Sequence, residues 1–238
     1  MKAKFFFVTA FFTATAVFGA EITLSAGAGG ILGGSFTRYT LAANGSAVSV
    51  SAGQNVDQID YGFLGFFDAT YGTFTAYLQA GANRFDEPVN PAIMSRSGQG
   101  WETVIGFSLL GKYPFSLNDR LTVFPLLGMD YQMSLLQRRT DAYGKVYDRA
   151  GRPENGINFD LMDFNSFHVR LGGGAEYRLM KGIFIRGDLL YGIRLMTGYE
   201  SRNLDYMREM TGDSNPKLGG LSSGPSVRLA AGYRFHSF

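Results

Sequence analysis

The chain has 238 residues, of which 45% are hydrophobic, 15% aromatic and 18% charged, with a formal net charge of +2. That length supports one ordinary domain with a real interior, and a mean hydropathy of −0.02 excludes both a bundle of membrane helices and a disordered chain. With 32 glycines and no cysteine, the composition also excludes a disulfide scaffold, a thiolate zinc site and a cysteine nucleophile.

The first twenty residues stand apart. Lys2 and Lys4 form a basic start, an apolar run extends from Phe5 to Phe18, and Gly19 and Ala20 are small. This pattern predicts a secretory signal peptide over residues 1–20, cleaved after Gly19 or Ala20, ahead of a single domain over 21–238. Removing Lys2 and Lys4 leaves 20 basic against 20 acidic residues. The global attraction to nucleic acid then disappears, and no nucleic-acid partner is expected. No cysteine follows the apolar run, so a lipid-anchored lipoprotein is excluded.

Beyond residue 20 no apolar run is long enough for a transmembrane helix. What recurs is alternation with a period of two. A Gly-rich first segment, about Ile22 to Phe36, is followed by residues 58–67, where Ile59, Tyr61, Phe63 and Phe67 oppose Gln58, Asp60 and Gly62. Residues 73–83 set Phe74, Ala76 and Leu78 against Thr73, Thr75, Tyr77 and Gln79, and Trp101, Ile105, Phe107 and Leu109 oppose Glu102, Ser108 and Lys112. Further on, Leu121, Val123, Leu127 and Met129 oppose Thr122 and Asp130, and Phe167, Val169 and Leu171 oppose Ser166, His168, Arg170, Glu176 and Arg178. Ile183, Ile185 and Leu189 oppose Arg186, Asp188 and Arg194. Finally Val227, Leu229, Ala231, Tyr233 and Phe235 oppose Arg228 and Arg234. Eight strands are predicted, each with one apolar and one polar face.

The connections decide what kind of sheet this is. Short ones fall at about 68–72, 114–119 and 180–182, and long ones at about 37–55, 84–100, 135–163 and 197–223. Strands of about ten residues with short turns on one rim and long loops on the other predict an all-β, eight-stranded, antiparallel up-and-down transmembrane β-barrel. Such a closed sheet pairs every backbone group within the hydrocarbon. A lipocalin-like soluble barrel would turn its apolar face inward, leaving the arginines and carboxylates of the other face on a Gly- and Ala-rich exterior. An even strand number puts both termini on the short-turn, periplasmic rim.

The closing segment Val227, Leu229, Ala231, Tyr233 and Phe235, with Phe238 at the end, resembles the last strand of small bacterial outer-membrane barrels of the OmpX/Ail, OmpA-domain and OmpW-like type. The resemblance implies integral outer-membrane location, contact with outer-membrane lipid, and reading of this strand by the barrel assembly machinery. The motif departs at its end, because His236, Ser237 and Phe238 extend beyond Phe235.

The polar face points into a lumen only wide enough for its own side chains. The predicted charge network comprises Asp60, Glu102, Asp130, Arg170, Glu176, Arg178, Arg186, Asp188, Arg194, Arg228 and Arg234, tolerable in a low dielectric only as mutually compensating groups. A three-residue turn Met180-Lys181-Gly182 would set Leu179 opposite Ile183 and Glu176 opposite Arg186. Ser166 and His168 share that face, with Asp163 nearby, but their order and the lack of a placed acid argue against a hydrolytic site. No catalytic residues, cofactor or metal are expected; the histidines and acids lack ligand spacing. Pro125 on the lipid face predicts a bulge or break, and glycines 27, 29, 30, 33, 34 and 172–174 predict bending. In the last long loop Asn203 is placed to cap a short helix ending before Gly212. The function expected is that of a non-enzymatic surface protein whose long loops meet a host or envelope ligand. A narrow OmpW-like transport barrel is the alternative, and a lipid-modifying enzyme the third reading.

Overall fold

The computed structural model describes residues 23–44, 49–87, 96–140, 146–148, 165–195, 204–205, 208–209 and 212–237. Eight long strands account for most of them: β1 (Thr23–Asn44), β2 (Ser49–Ala69), β3 (Gly72–Glu87), β4 (Arg96–Lys112), β6 (Leu121–Thr140), β8 (Ser166–Met180), β9 (Ile183–Arg194) and β10 (Lys217–Ser237). Two short pieces, β5 (Phe115–Ser116) and β7 (Val146–Asp148), pair only with β6. Every long strand is antiparallel to its neighbours in the chain, and β1 pairs with β10 from Thr23↔Ser237 to Ala42↔Lys217. That last pairing closes the sheet. The protein is an eight-stranded antiparallel barrel without a free edge around its waist.

The alternation read in the sequence sorts the side chains between two environments. Outward positions are large and apolar: Ile59, Tyr61, Phe63 and Phe67 on β2, Leu127 and Met129 on β6, Leu189 on β9 and Leu229 on β10 are all exposed. On β2 this band runs from Ile59 to Phe67, about 26 Å of strand and within the roughly 9–11 residues with which a tilted strand crosses the hydrocarbon. Aromatic pairs sit towards its two margins, Tyr61 with Trp101 and Tyr131 with Phe167 on one side, Phe67 with Phe235 and Tyr113 with Phe115 on the other. Such girdles belong at a membrane–water interface. Beyond the band, Arg38 and Asp57 form an exposed ion pair at 2.5 Å. An apolar belt on a closed sheet leaves one stable setting, and the chain is an integral outer-membrane barrel.

One rim is tight. Two-residue turns join Ala69 to Gly72 and Met180 to Ile183, and the β4–β6 link is ordered by Asn118, whose Oδ1 accepts from the backbone N–H groups of Arg120 and Leu121. Thr23 donates its N–H to Thr70 Oγ1 at 2.8 Å, tying the start of β1 to this rim.

The strands outrun their sequence-read limits at the opposite rim. β1 and β2 remain paired to Asn44↔Ser49, so residues 37–44 and 49–55, expected as loop, are strand. β3 continues to Glu87, β4 begins at Arg96, and β10 begins at Lys217. β6 runs to Thr140, where β7 turns back along it. Residues 1–22, including the expected signal peptide, and residues 149–164 lie outside the described residues.

Three local irregularities have identifiable causes. Leu135 is an extra residue between Leu136, paired with Thr103, and Ser134, paired with Val104. This bulge turns both leucines outward. Leu179 is bulged as well, so Met180 and not Leu179 lies opposite Ile183, while Glu176↔Arg186 keeps the expected register. At Pro125 the β6–β8 ladder continues through Pro125↔Gly173. The other edge breaks: β4 stops at Lys112↔Leu126 and pairing resumes at Phe115↔Val123. The missing N–H therefore falls where no partner strand needs it.

Candidate functional site in the barrel lumen

The inward face carries the buried polar groups. They gather into layers stacked along the barrel.

Nearest the tight rim, Asp68 accepts hydrogen bonds from Lys112 Nζ and from Arg186 Nη1, the latter at 2.8 Å. Arg186 Nε donates to Asp188 at 2.8 Å, and Arg234 Nη2 donates to Glu176 at 2.5 Å. Three acids and three bases thus share one layer. The Arg186 guanidinium also lies 5.4 Å from the Phe66 ring centroid and 4.9 Å from that of Phe124, supplying the cation with ring faces as well as oxygens.

The middle layer centres on Asp130, 1% exposed. Its carboxylate accepts from Tyr77 Oη at 2.7 and 2.8 Å and from Arg170 Nε at 2.6 Å. Gln132 Nε2 donates to Tyr77 Oη at 3.0 Å, and Arg170 Nη1 donates to Ser226 Oγ at 3.2 Å. Arg228 stands beside this group, 5.7 Å from the Tyr77 ring centroid, with one long contact of 3.5 Å to Thr75 Oγ1. Its Nε and Nη2 have no hydrogen-bond partner among the described residues. Above them Gln58 Nε2 donates to both Asp60, at 2.6 Å, and Glu102, at 3.3 Å, and Ser134 Oγ reaches the second oxygen of Glu102.

Apolar side chains fill the space among these layers. Ile31, Leu64, Phe66, Tyr77 and Phe184 form one buried cluster, and Leu110, Phe124, Leu126 and Leu190 another. Four of the rings lie over inward glycines of a neighbouring strand: Phe66 over Gly27, Phe184 over Gly232, Tyr77 over Gly106 and Phe124 over Gly174. A Cβ at any of the four would collide with the ring. Gly27 and Gly174 therefore make room for lumen aromatics, a requirement more specific than the bending expected of them.

The sequence-read network is thus only partly one assembly. Arg170 pairs with Asp130, Arg186 with Asp188, and Arg234 with Glu176; Glu176, though opposite Arg186 in register, takes Arg234 as its ion-pair partner. Asp60 and Glu102 meet through Gln58. Arg194 faces inward between His168 and Ser222. Arg178 keeps the inward phase, paired with buried Phe184, but is exposed and joins no ion pair among the described residues, because it lies at the open rim beyond Glu176. Asp68, Lys112 and Tyr77 were not in the expected network. Asp68 continues the inward phase of Asp60, Leu64 and Phe66 on β2, but a strand ended at Phe67 leaves it in the turn.

Ser166 and His168 both point inward, no hydrogen bond joins them among the described residues, and Asp163 lies outside those residues. Also among the described residues, no group of three or more histidines and acids is placed to hold a metal ion. Val227, Leu229, Tyr233 and Phe235 of the closing strand are exposed on the lipid face, with Ala231 in the same phase; Phe238 lies outside the described residues. Leu204, Asp205, Arg208 and Glu209 are helical. Gly212, at φ +70°, donates its N–H to the Arg208 carbonyl and so closes the helix where a glycine was expected after it, while Asn203, the expected N-cap, lies outside the described residues.

No protein-family model matches the chain, and neither does any curated protein sequence. Among solved structures, Neisserial surface protein A is 14% identical, with a TM-score of 0.33 over 87% of this chain and 99% of its own. Ail, the attachment invasion locus protein of Yersinia pestis, is 13% identical, with a TM-score of 0.28 over 90% of this chain and 98% of its own. The outer membrane protease OmpT from Escherichia coli is 8% identical, with a TM-score of 0.40 over 92% and 98%. At these values the likeness says nothing of role.

Proposed function

We propose that the barrel is a closed, non-catalytic anchor and that its work is done at the outer rim, where loops meet a host or envelope ligand in adhesion or in maintaining the envelope. The filled lumen supports this reading most. Leu110, Leu126, Leu190 and Phe184 are no more than 1% exposed, and the rim-side acids and bases neutralise one another, so ions entering would displace both packing and ion pairs. The second support lies in the long strands. β1 and β2 stay paired well past the Arg38–Asp57 pair, lifting their connection clear of the apolar band.

A narrow transport barrel needs a wet path through these layers. Single-channel recording on refolded protein in planar bilayers separates the two readings: silence is expected, and a steady conductance would overturn the anchor. Replacing residues 88–95 and 149–164 by Gly/Ser linkers should leave heat-dependent gel mobility intact while abolishing adhesion of expressing cells or their envelope resistance to detergent. Retention of both properties would refute the role of the loops. Unchanged lipid composition between cells expressing wild type and Ser166→Ala/His168→Ala is the result expected of a non-enzyme.

A further inference from the structure

The outer half of the lumen holds a polar patch built on glycines. Across β2, β3 and β4 the inward residues form two rows: Asp60, Gly81 and Glu102, and one step nearer the outer rim Gln58, Asn83 and Gly100. Gly81 and Gly100 carry no side chains, so the other four groups close over bare backbone. A Cβ on Gly81 would collide with Asp60 Oδ1, which places the Asp60 carboxylate over β3, beside the next inward residue, Asn83. On the outward face at this level Tyr61 and Trp101 belong to the aromatic girdle.

Asp60 Oδ1 and Glu102 Oε2 converge on one atom, Gln58 Nε2, at 2.6 and 3.3 Å. Ser134 Oγ donates to the other oxygen of Glu102, holding Oε2 towards the patch. Asn83 is an independent sign. It lies directly opposite Gln58, is 8% exposed, and its Oδ1 accepts no hydrogen bond among the described residues. Both protons of Gln58 Nε2 are taken by the carboxylates, so Gln58 has none for it, and Arg170 is bonded to Asp130. A buried acceptor left without a donor calls for a positive partner.

Two carboxylates and an orphaned amide oxygen on one glycine-floored patch are a hard, all-oxygen donor set. We propose that this patch binds a divalent cation of the calcium type, held by Asp60, Glu102 and Asn83, with Gln58 turning its amide over to present Oε1 where Nε2 now stands. Ca2+ takes about six to eight oxygens, amide carbonyls and waters among them, in flexible geometry, whereas Mg2+ demands a small octahedron and gives up its waters reluctantly. Asp60 and Glu102 are half-buried, so the ion reaches them from the outer mouth, and once bound it ties β2, β3 and β4 together at the outer girdle. Only two acids contribute, so acid spacing in the sequence does not reveal the site.

The test uses full-length protein refolded in uncharged, phosphate-free detergent micelles, with Tb3+ as the probe. The single tryptophan, Trp101, adjoins Glu102 in the chain and serves as the antenna. Wild type should give saturable terbium luminescence on tryptophan excitation, displaced by Ca2+ at concentrations at least about tenfold lower than by Mg2+. Asp60→Asn/Glu102→Gln keeps the side-chain shapes and should abolish the signal, while Asn83→Ala should weaken Tb3+ binding at least about fivefold. Heat-dependent gel mobility checks that each variant folds, with Asp60→Asn alone replacing the pair if the pair does not. Absence of saturable luminescence in wild type, or displacement by Mg2+ as readily as by Ca2+, would overturn the site. Unchanged affinity in the acid variant would overturn it by assigning the ion to acids elsewhere, and unchanged affinity in Asn83→Ala would overturn the ligand set.

Discussion

Asp130 shows how closely the lumen depends on single atoms. Among the described residues it is the acid hydrogen-bonded to both Tyr77 and Arg170, and Asp130→Ala would leave the buried Arg170 guanidinium without its carboxylate. A loss of about 3–5 kcal/mol is expected, measured by urea unfolding of the barrel in lipid vesicles. Arg228 should behave oppositely. With no carboxylate hydrogen-bonded to it and two nitrogens lacking acceptors among the described residues, Arg228→Met is expected to be neutral or stabilising in the same assay; a loss as large as that of Asp130→Ala would contradict the placement. Gly106→Ala tests the packing side, since the added methyl meets the Tyr77 ring and should cost about 1–3 kcal/mol by overpacking. These dependencies were only half legible in the sequence. Alternation shows that Asp130, Arg170 and Arg228 share a face, but which acid takes which base is set by barrel stagger between strands far apart in the chain. Tyr77 reads as an ordinary aromatic at a polar position until the neighbouring Gly106 explains its place.

At the scale of elements, the turns and bulges carry the register. Gly182 adopts φ +79° in the β8–β9 turn, and a Cβ there would stand 2.6 Å from the edge of the Tyr233 ring. Gly182→Val should therefore destabilise by about 1–3 kcal/mol, seen as a lower urea midpoint and a raised fraction of unfolded protein on unheated gels. Period-two patterning located seven of the long strands and the Gly-rich run the first, but the outer ends of several were misjudged. Inside the hydrocarbon an outward residue must be apolar, so the pattern is sharp from Ile59 to Phe67. Outside it that demand lapses, and the small and polar residues of 37–44 and 49–55 can be strand without alternating. The Leu135 and Leu179 bulges were invisible for a related reason: one inserted residue changes phase without changing composition.

For the whole molecule, the position in the membrane is the quantity most open to test. Phe63 sits midway along the apolar band of β2 and is 78% exposed; Phe63→Arg should cost about 2–4 kcal/mol, as for a cation at the bilayer midplane. Asp57→Asn, which breaks only the exposed pair with Arg38, should change stability by less than about 1 kcal/mol. Similar costs for the two would mean that the band is misplaced. The bland mean hydropathy of the chain now has a physical reading: it averages a surface turned to hydrocarbon with an interior of paired charges.

The closure of β1 on β10 has a consequence for the order of assembly. Thr23 meets Ser237 only after almost the whole chain has been gathered, whereas tight turns bring Ala69 to Gly72 and Met180 to Ile183 at once. The chain-entropy cost of joining the ends is thus met last. Along that seam, Gly27, Gly29, Gly30 and Gly33 face Gly232, Ala230, Leu229 and Ser226, so backbone hydrogen bonds hold it with little side-chain help. Refolding should show hairpin formation followed by one slow step, and amide exchange in the finished barrel should be fastest between these two strands.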